Sequence, residues 1–189
     1  MRRPTPADPD LGHALRAAQN GDPHGFALLW RGLQPALLRY LRVVIGDQAE
    51  DTASETWLHV IRDLDRFRGD LGAFRGWLFG IARHRALDER RRRSPLLVGA
   101  VDVPVPDAAD AAIEGEGTDW ALRVIASLPI DQAEAVMLRI VAGLDVHTTA
   151  HILGKRPGAI RVATMRGLRR LATHPQVHAR TARTPAGEV

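Results

Sequence analysis

Residues 74–93 read FRGWLFGIARHRALDERRRR. Aromatic and aliphatic side chains fill the first half and arginines the second. One amphipathic helix would offer three things here: a face for the core, rings able to meet unstacked bases, and a cationic end able to meet phosphate. On this segment alone an ordinary core helix with a solvated basic end stays open, since charge runs often serve only as solvated faces.

The 189 residues suit one medium domain or two small ones, and 45% hydrophobic content suits a real core. No apolar run approaches the ~18 residues of a membrane span, which argues against membrane insertion. The start, MRRPTPADPD, has two arginines but no apolar h-region and does not read as a secretory signal. Without cysteine there is no disulfide or thiolate metal site, which fits a cytoplasmic setting.

Charge is laid out in blocks. Residues 47–65 carry six acids against Arg62, residues 73–93 seven arginines against Asp88 and Glu89, residues 94–119 six acids and no base, and residues 146–187 eight bases and no acid. Two cationic blocks separated by an acidic one suggest two polyanion-binding surfaces joined by a linker that avoids them.

Residues 1–10 are Pro-rich and expected to be disordered. Asp10 can cap a short helix ending before Asn20-Gly21. Phe26, Leu29, Trp30, Leu33, Leu37, Leu38 and Leu41 mark a second helix from about His24 to Ile45, with a kink expected at Pro35. A third helix from near Asp47 to about Leu64 buries Ala53, Trp57, Ile61 and Leu64. Its outward face carries Asp51, Glu55 and Leu58. The macrodipole accounts for acids in its first turn but not for Glu55, so a solvated face and a docking patch both stay open. Residues 65–73 read as a loop, and the opening helix completes a first domain over 11–93.

Residues 94–117, with three prolines and no amphipathic period, form a flexible acidic linker. The second domain, 118–174, opens with Thr118 as N-cap. A helix capped by Asp131 follows, with Ile140 among its apolar residues. In GLDVHTTAHILGKRPGAIRVATMRGLRRLA (143–172), Asp145 caps a helix over 146–153. Gly154 suits a left-handed C′ position, and Pro157 suits the first turn of a longer helix. Ile160, Ala163, Leu168 and Leu171 line one side of that helix, and arginines populate the rest. This is a helix-turn-helix. Residues 175–189 read as a frayed tail. The fold class is all-α: two small helical domains, the second a helix-turn-helix.

His147 and His151 have a metal-compatible spacing, but no glutamate completes a metalloprotease motif. No phosphate loop, nucleophile elbow or dinucleotide fingerprint occurs, so no catalytic constellation and no cofactor is expected.

Two stretches, AEDTASETWLHVIRDLDRFRGDLGAFRGWLFGIARHRALDERRRR and LPIDQAEAVMLRIVAGLDVHTTAHILGKRPGAIRVATMRGLRRL, resemble regions 2 and 4 of the extracytoplasmic-function (ECF) sigma factors of the sigma-70 family. The resemblance covers about residues 11–173. It implies a factor that binds core RNA polymerase and directs promoter-specific initiation. By likeness, Asp51, Glu55 and Leu58 face the β′ clamp helices. The loop from Phe67 to Ala73, with Arg68, Gly69 and Asp70, would hold a base flipped from the minus-ten element. Trp77, Arg83 and His84 would hold the melted strand, and Arg90 and Arg91, with the two arginines after them, its phosphates. Region 4, beside the β flap, would read the minus-thirty-five element with Arg161 and Met165 at base-reading positions. Arg156, Gly158, Ala159, Val162, Arg166 and Arg169 would complete that contact. An anti-sigma factor partner is expected. The chain departs from the family at His84, often Asn; at Arg156, where Ser or Thr usually caps; and at Val162, often polar. The alternatives are a free-standing helix-turn-helix regulator with a helical sensor or dimerisation domain, and a helical module that binds no DNA.

Overall fold

A computed structural model describes residues 8–93 and 116–181, with side chains described over 11–92 and 117–178. The first unit comprises α1 (Asp8–Gln19), α2 (Pro23–Ile45), α3 (Ala49–Asp63) and α4 (Leu71–Arg93). The second comprises α5 (Glu116–Ala126), α6 (Ile130–Val136), α7 (Val146–Leu153), α8 (Pro157–Ala172) and α9 (Pro175–Thr181). Among the described residues there is no strand. Most of the expected linker lies outside the described residues.

Helix α2 is the hub. The Asp22 carboxylate accepts from the amides of His24 at 2.9 Å and Gly25 at 3.2 Å, and Pro23 occupies the first turn. These groups satisfy donors that a helix start leaves orphaned. Leu29, Leu33, Leu37, Tyr40 and Leu41 are buried, each contributing about 1.5–3 kcal/mol. Pro35 sits inside α2, which continues as one 23-residue helix. Trp30 is exposed, contrary to the expected stripe. It lies ~100° around the helix from Leu29, and only the Leu29 line meets the core.

The same argument corrects α3. Ala53, Trp57, Val60 and Leu64 take the inward line, leaving Ile61 exposed beside Leu58. Trp57 donates to Gln34 Oε1 at 2.6 Å and meets Phe26 edge-on. In α4, Phe74, Leu78, Phe79, Ala82 and Ala86 are buried. Its first three residues, Leu71 to Ala73, are helical, shortening the expected loop.

The second unit carries further corrections. Thr118 lies within α5, which starts at Glu116, so it is not the cap. Position N-cap of α6 is Pro129 rather than Asp131, and no side chain caps it. A π turn over Met137–Val141 follows α6 and leaves Ile140 exposed. In α8 the buried positions are Ile160 and Gly167, while Leu168 is exposed. Residues 175–181, expected to fray, form α9.

The two units are packed together. One core cluster runs from Leu11 in α1 to Ile160 in α8; α2 contacts α5 and α6, and α4 contacts α7. Helix α7 approaches α4 so closely that a Cβ at Gly76 would lie 2.7 Å from Thr148 Cγ2. A β-carbon at position 76 would force the Thr148 side chain to shift.

Candidate nucleic-acid interface

The helix-turn-helix is built by local chemistry. Asp145 accepts from the amides of His147 at 2.7 Å and Thr148 at 3.0 Å, and from the Thr148 hydroxyl at 2.5 Å. The Thr148 hydroxyl and then its amide hold the Asp145 carboxyl below the usual carboxylate range. Gly154 ends α7 in the left-handed region, at φ 63°, which a β-carbon would disfavour. Lys155, the only lysine, pairs with Asp131 at 2.5 Å and ties the turn to α6. Pro157 then opens α8, and Arg156 stands at its N-cap without a side-chain hydrogen bond.

The outer face of α8 is cationic and half apolar. Arg161, Val162, Met165, Arg166 and Arg169 are exposed, as are Arg156, Gly158 and Ala159 around its start. Among the described residues no acid pairs with Arg161, Arg166, Arg169 or Arg170, so these guanidiniums stay open to a polyanion.

The second cationic surface surrounds α4. Phe67 stacks on Trp77 with ring centroids 5.1 Å apart and planes 20° apart, and Phe74 meets both edge-on. Gln19 Nε2 donates to the Phe67 carbonyl at 2.7 Å, fixing the loop to α1. Arg68 is exposed and folds back on the carbonyls of Asp65 and Phe67. Asp70, exposed, caps α4 through the Ala73 amide at 2.8 Å. Gly69 turns at φ 153°. His84 is exposed, 3.5 Å from Asp88, which also meets Arg91 at 3.6 Å. Arg90 is half-buried.

On α3, Asp51, Glu55 and Leu58 share the exposed outer face. Leu58 is 66% exposed and Ile61 54%, making a paired apolar patch that the sequence reading underestimated. Glu55 pairs with Arg85 of α4 at 2.7 Å, so it is not a bare carboxylate.

Arg83 meets protein groups on other helices. Its Nε donates to Glu134 Oε1 at 3.0 Å, and one terminal nitrogen donates to the Ile152 carbonyl at 3.1 Å. Tyr40 donates to the same Glu134 oxygen at 3.0 Å. Burial, then the Glu134 charge, pushes the Tyr40 phenol well above its ordinary value. The Arg83–Glu134 contact therefore joins α2, α4, α6 and α7. Sequence reasoning missed Glu134, although an acid inside the apolar run AEAVMLRIV was the available signal.

Between α4 and α7 lies a cleft of about 940 Å³ lined by Trp77, His84, His147 and His151 among others. Among the described residues no group of three or more His, Cys, Asp or Glu side chains is placed to hold a metal. Nor is any helix there long and apolar enough to cross a membrane.

A helical unit with an acid-bearing helix and a basic aromatic helix, followed by a helix-turn-helix unit, has the arrangement of a promoter-binding initiation factor of the sigma-70 type. Residues 29–95 match the family model for sigma-70 region 2, and residues 118–171 match that for sigma-70 region 4. The chain is 32% identical over 180 residues to the ECF RNA polymerase sigma factor ShbA of Streptomyces griseus, covering 85% of this chain and 93% of that protein. It is 32% identical over 173 residues to the ECF sigma factor SigD of Mycobacterium tuberculosis, covering 85% and 82%. It shares its fold with the sigma factor RpoE crystallised with the anti-sigma factor NepR from Bartonella quintana (TM-score 0.61, 24% identity, 77% of this chain and 93% of that one). It also shares its fold with CnrH in complex with the cytosolic domain of CnrY (TM-score 0.59, 20% identity, 88% and 96%). The chain belongs to the ECF RNA polymerase sigma factors of the sigma-70 family, and it directs promoter-specific transcription initiation.

Proposed function

We propose that residues 11–93 dock on core polymerase and hold the melted minus-ten strand, while residues 118–174 read the minus-thirty-five element. The observation that carries this reading is the outer face of α8, whose arginines meet no acid among the described residues and which follows a well-capped turn. A guanidinium at Arg161 can bind guanine in bidentate fashion, for ~1–3 kcal/mol of discrimination. Arg166 and Arg169 suit phosphate, and Val162 and Met165 offer apolar contact to thymine methyls.

On α3, Asp51, Glu55, Leu58 and Ile61 form the docking patch for the β′ clamp helices, and region 4 sits at the β flap. Docking there competes with Arg85 for the Glu55 carboxylate. The Phe67–Trp77 stack, with Arg68, Gly69 and Asp70, frames the site of a flipped base. His84, Arg90 and Arg91 approach the strand beside it. Flipping costs a few kcal/mol, offset by stacking at ~1–3 kcal/mol per base and by phosphate contacts. Melting is thus selective binding of the open state, without a catalytic residue or cofactor. The factor acts in the cytoplasm, where core polymerase is, and an anti-sigma factor covering these faces would silence it.

Run-off transcription with purified core polymerase tests the reading. The chain should enable initiation from a subset of promoters. Tight binding to promoter duplex without any initiation by core would return the chain to a free-standing regulator.

A further inference from the structure

The cleft beside α4 holds about 940 Å³, a volume typical of small-molecule sites. Its floor is apolar and low. Trp77, Ile81 and Ile152 line it, with Gly76 and Gly80 of α4 among them. A β-carbon at Gly80 would meet nothing within 4 Å, so the space over that turn of helix is open. The Trp77 indole is fixed by Phe67, stacked at 5.1 Å, and by His59, edge-on at 6.4 Å. A fixed ring beside bare helix backbone suits a flat aromatic guest.

The wall is rich in donors. His59, His84, Arg85, His147 and His151 line it, against one acid, Asp88. Asp88 is already engaged by His84 at 3.5 Å and Arg91 at 3.6 Å. His59 is taken up by Asp63 at 3.3 Å and Arg85 by Glu55 at 2.7 Å. His147 and His151, one turn apart on α7, are exposed, and among the described residues their rings meet no acid. An imidazole keeps at least one N–H donor in either protonation state. Two open donors and one shared guanidinium match a monoanion better than a phosphate dianion.

We propose that this cleft is a binding site for a planar aromatic carboxylate. The ring system lies against Trp77 over Gly80, and the carboxylate accepts from His147 and His151. The site needs α7 beside α4, and it does not rest on the reading of α4 as a strand contact.

Calorimetric titration of the full-length chain with 2-naphthoate tests the site. One molecule should bind per chain. The neutral analogue 2-naphthol should bind about tenfold more weakly, the worth of one charge-assisted hydrogen bond. Gly80→Leu fills the open space and favours the helix over glycine; it should abolish binding with circular dichroism unchanged. His147→Ala/His151→Ala should bring naphthoate down to the naphthol affinity while leaving naphthol itself unaffected. Both histidines are exposed, so this variant reads the site independently of any strain at position 80.

No binding of millimolar 2-naphthoate to the wild-type chain would overturn the site, as would equal binding by a folded Gly80→Leu chain. Equal affinity for naphthoate and naphthol would overturn the carboxylate contact. Adenosine monophosphate binding as tightly as naphthoate would overturn the preference for a monoanion.

Discussion

Arg83 on α4 donates to Glu134 on α6 at 3.0 Å, linking the helix that carries the Phe74 and Trp77 rings to the unit that carries the helix-turn-helix. Such a pair, with its carboxylate buried, adds little net stability, because desolvation offsets the Coulomb gain. Its consequence is specificity of arrangement: the carboxylate accepts from both Arg83 and Tyr40 in one geometry. Removing the acid alone would strand a charged guanidinium.

Tyr40 is the only tyrosine, so its ionisation can be followed unambiguously by ultraviolet absorbance. Burial raises its pKa in the folded state, so the folded chain keeps its proton where the unfolded chain loses it. The resulting stability is fully present below the ordinary phenol value of about 10 and is lost as pH rises further. Urea midpoints should fall above about pH 10, and Tyr40→Phe should flatten that fall. At neutral pH the same variant should cost about 0.5–1.5 kcal/mol. An unchanged alkaline profile in Tyr40→Phe would dissociate Tyr40 from the effect.

Asp145 holds the first turn of the helix-turn-helix, and its pKa is lowered by Thr148. Its contribution is therefore present above the ordinary carboxylate range and disappears as pH falls through the depressed folded value. Asp145→Ala should destabilise the second unit by about 1 kcal/mol at neutral pH. That difference from wild type should shrink on acidification, as read by denaturant unfolding.

The Asp51→Arg/Glu55→Arg double variant should abolish binding to core polymerase while leaving helicity by circular dichroism unchanged. The Glu55–Arg85 pair is exposed, so its loss should cost no more than about 1 kcal/mol of fold stability. Unfolding of the variant would reassign the acids to a structural role. Leu58→Ala with Ile61→Ala should weaken core binding without touching DNA affinity of the free chain.

Arg161→Ala should lower discrimination among promoters more than general affinity, by about 1–3 kcal/mol at one base position. Arg169→Ala should weaken binding to every sequence alike and reduce the slope of log affinity against log salt by about one. The two are separated by titrating holoenzyme onto a promoter and a scrambled duplex at several salt concentrations. An equal loss on both duplexes for Arg161→Ala would make it a phosphate contact.

Much of this protein was legible before any coordinates. Local rules have local causes. Asp145, Gly154 and Pro157 set the helix-turn-helix because capping, a left-handed turn and a fixed φ act over a few residues. The acid-free run along α8 identified its open cationic face, since no neighbour in sequence could neutralise it. What periodicity blurred were positions one residue apart on a helix, such as Leu29 against Trp30 and Val60 against Ile61. Which of two adjacent apolar residues turns inward depends on the angle at which a neighbouring helix arrives, and the sequence does not print that angle. The partnership of Arg83, Tyr40 and Glu134 lay further out of reach, because it joins residues up to 94 positions apart. Sequence thus determined the elements and the charge each displays. Only tertiary packing decided that α7 lies across α4, taking up Arg83 through contacts that no local preference encodes.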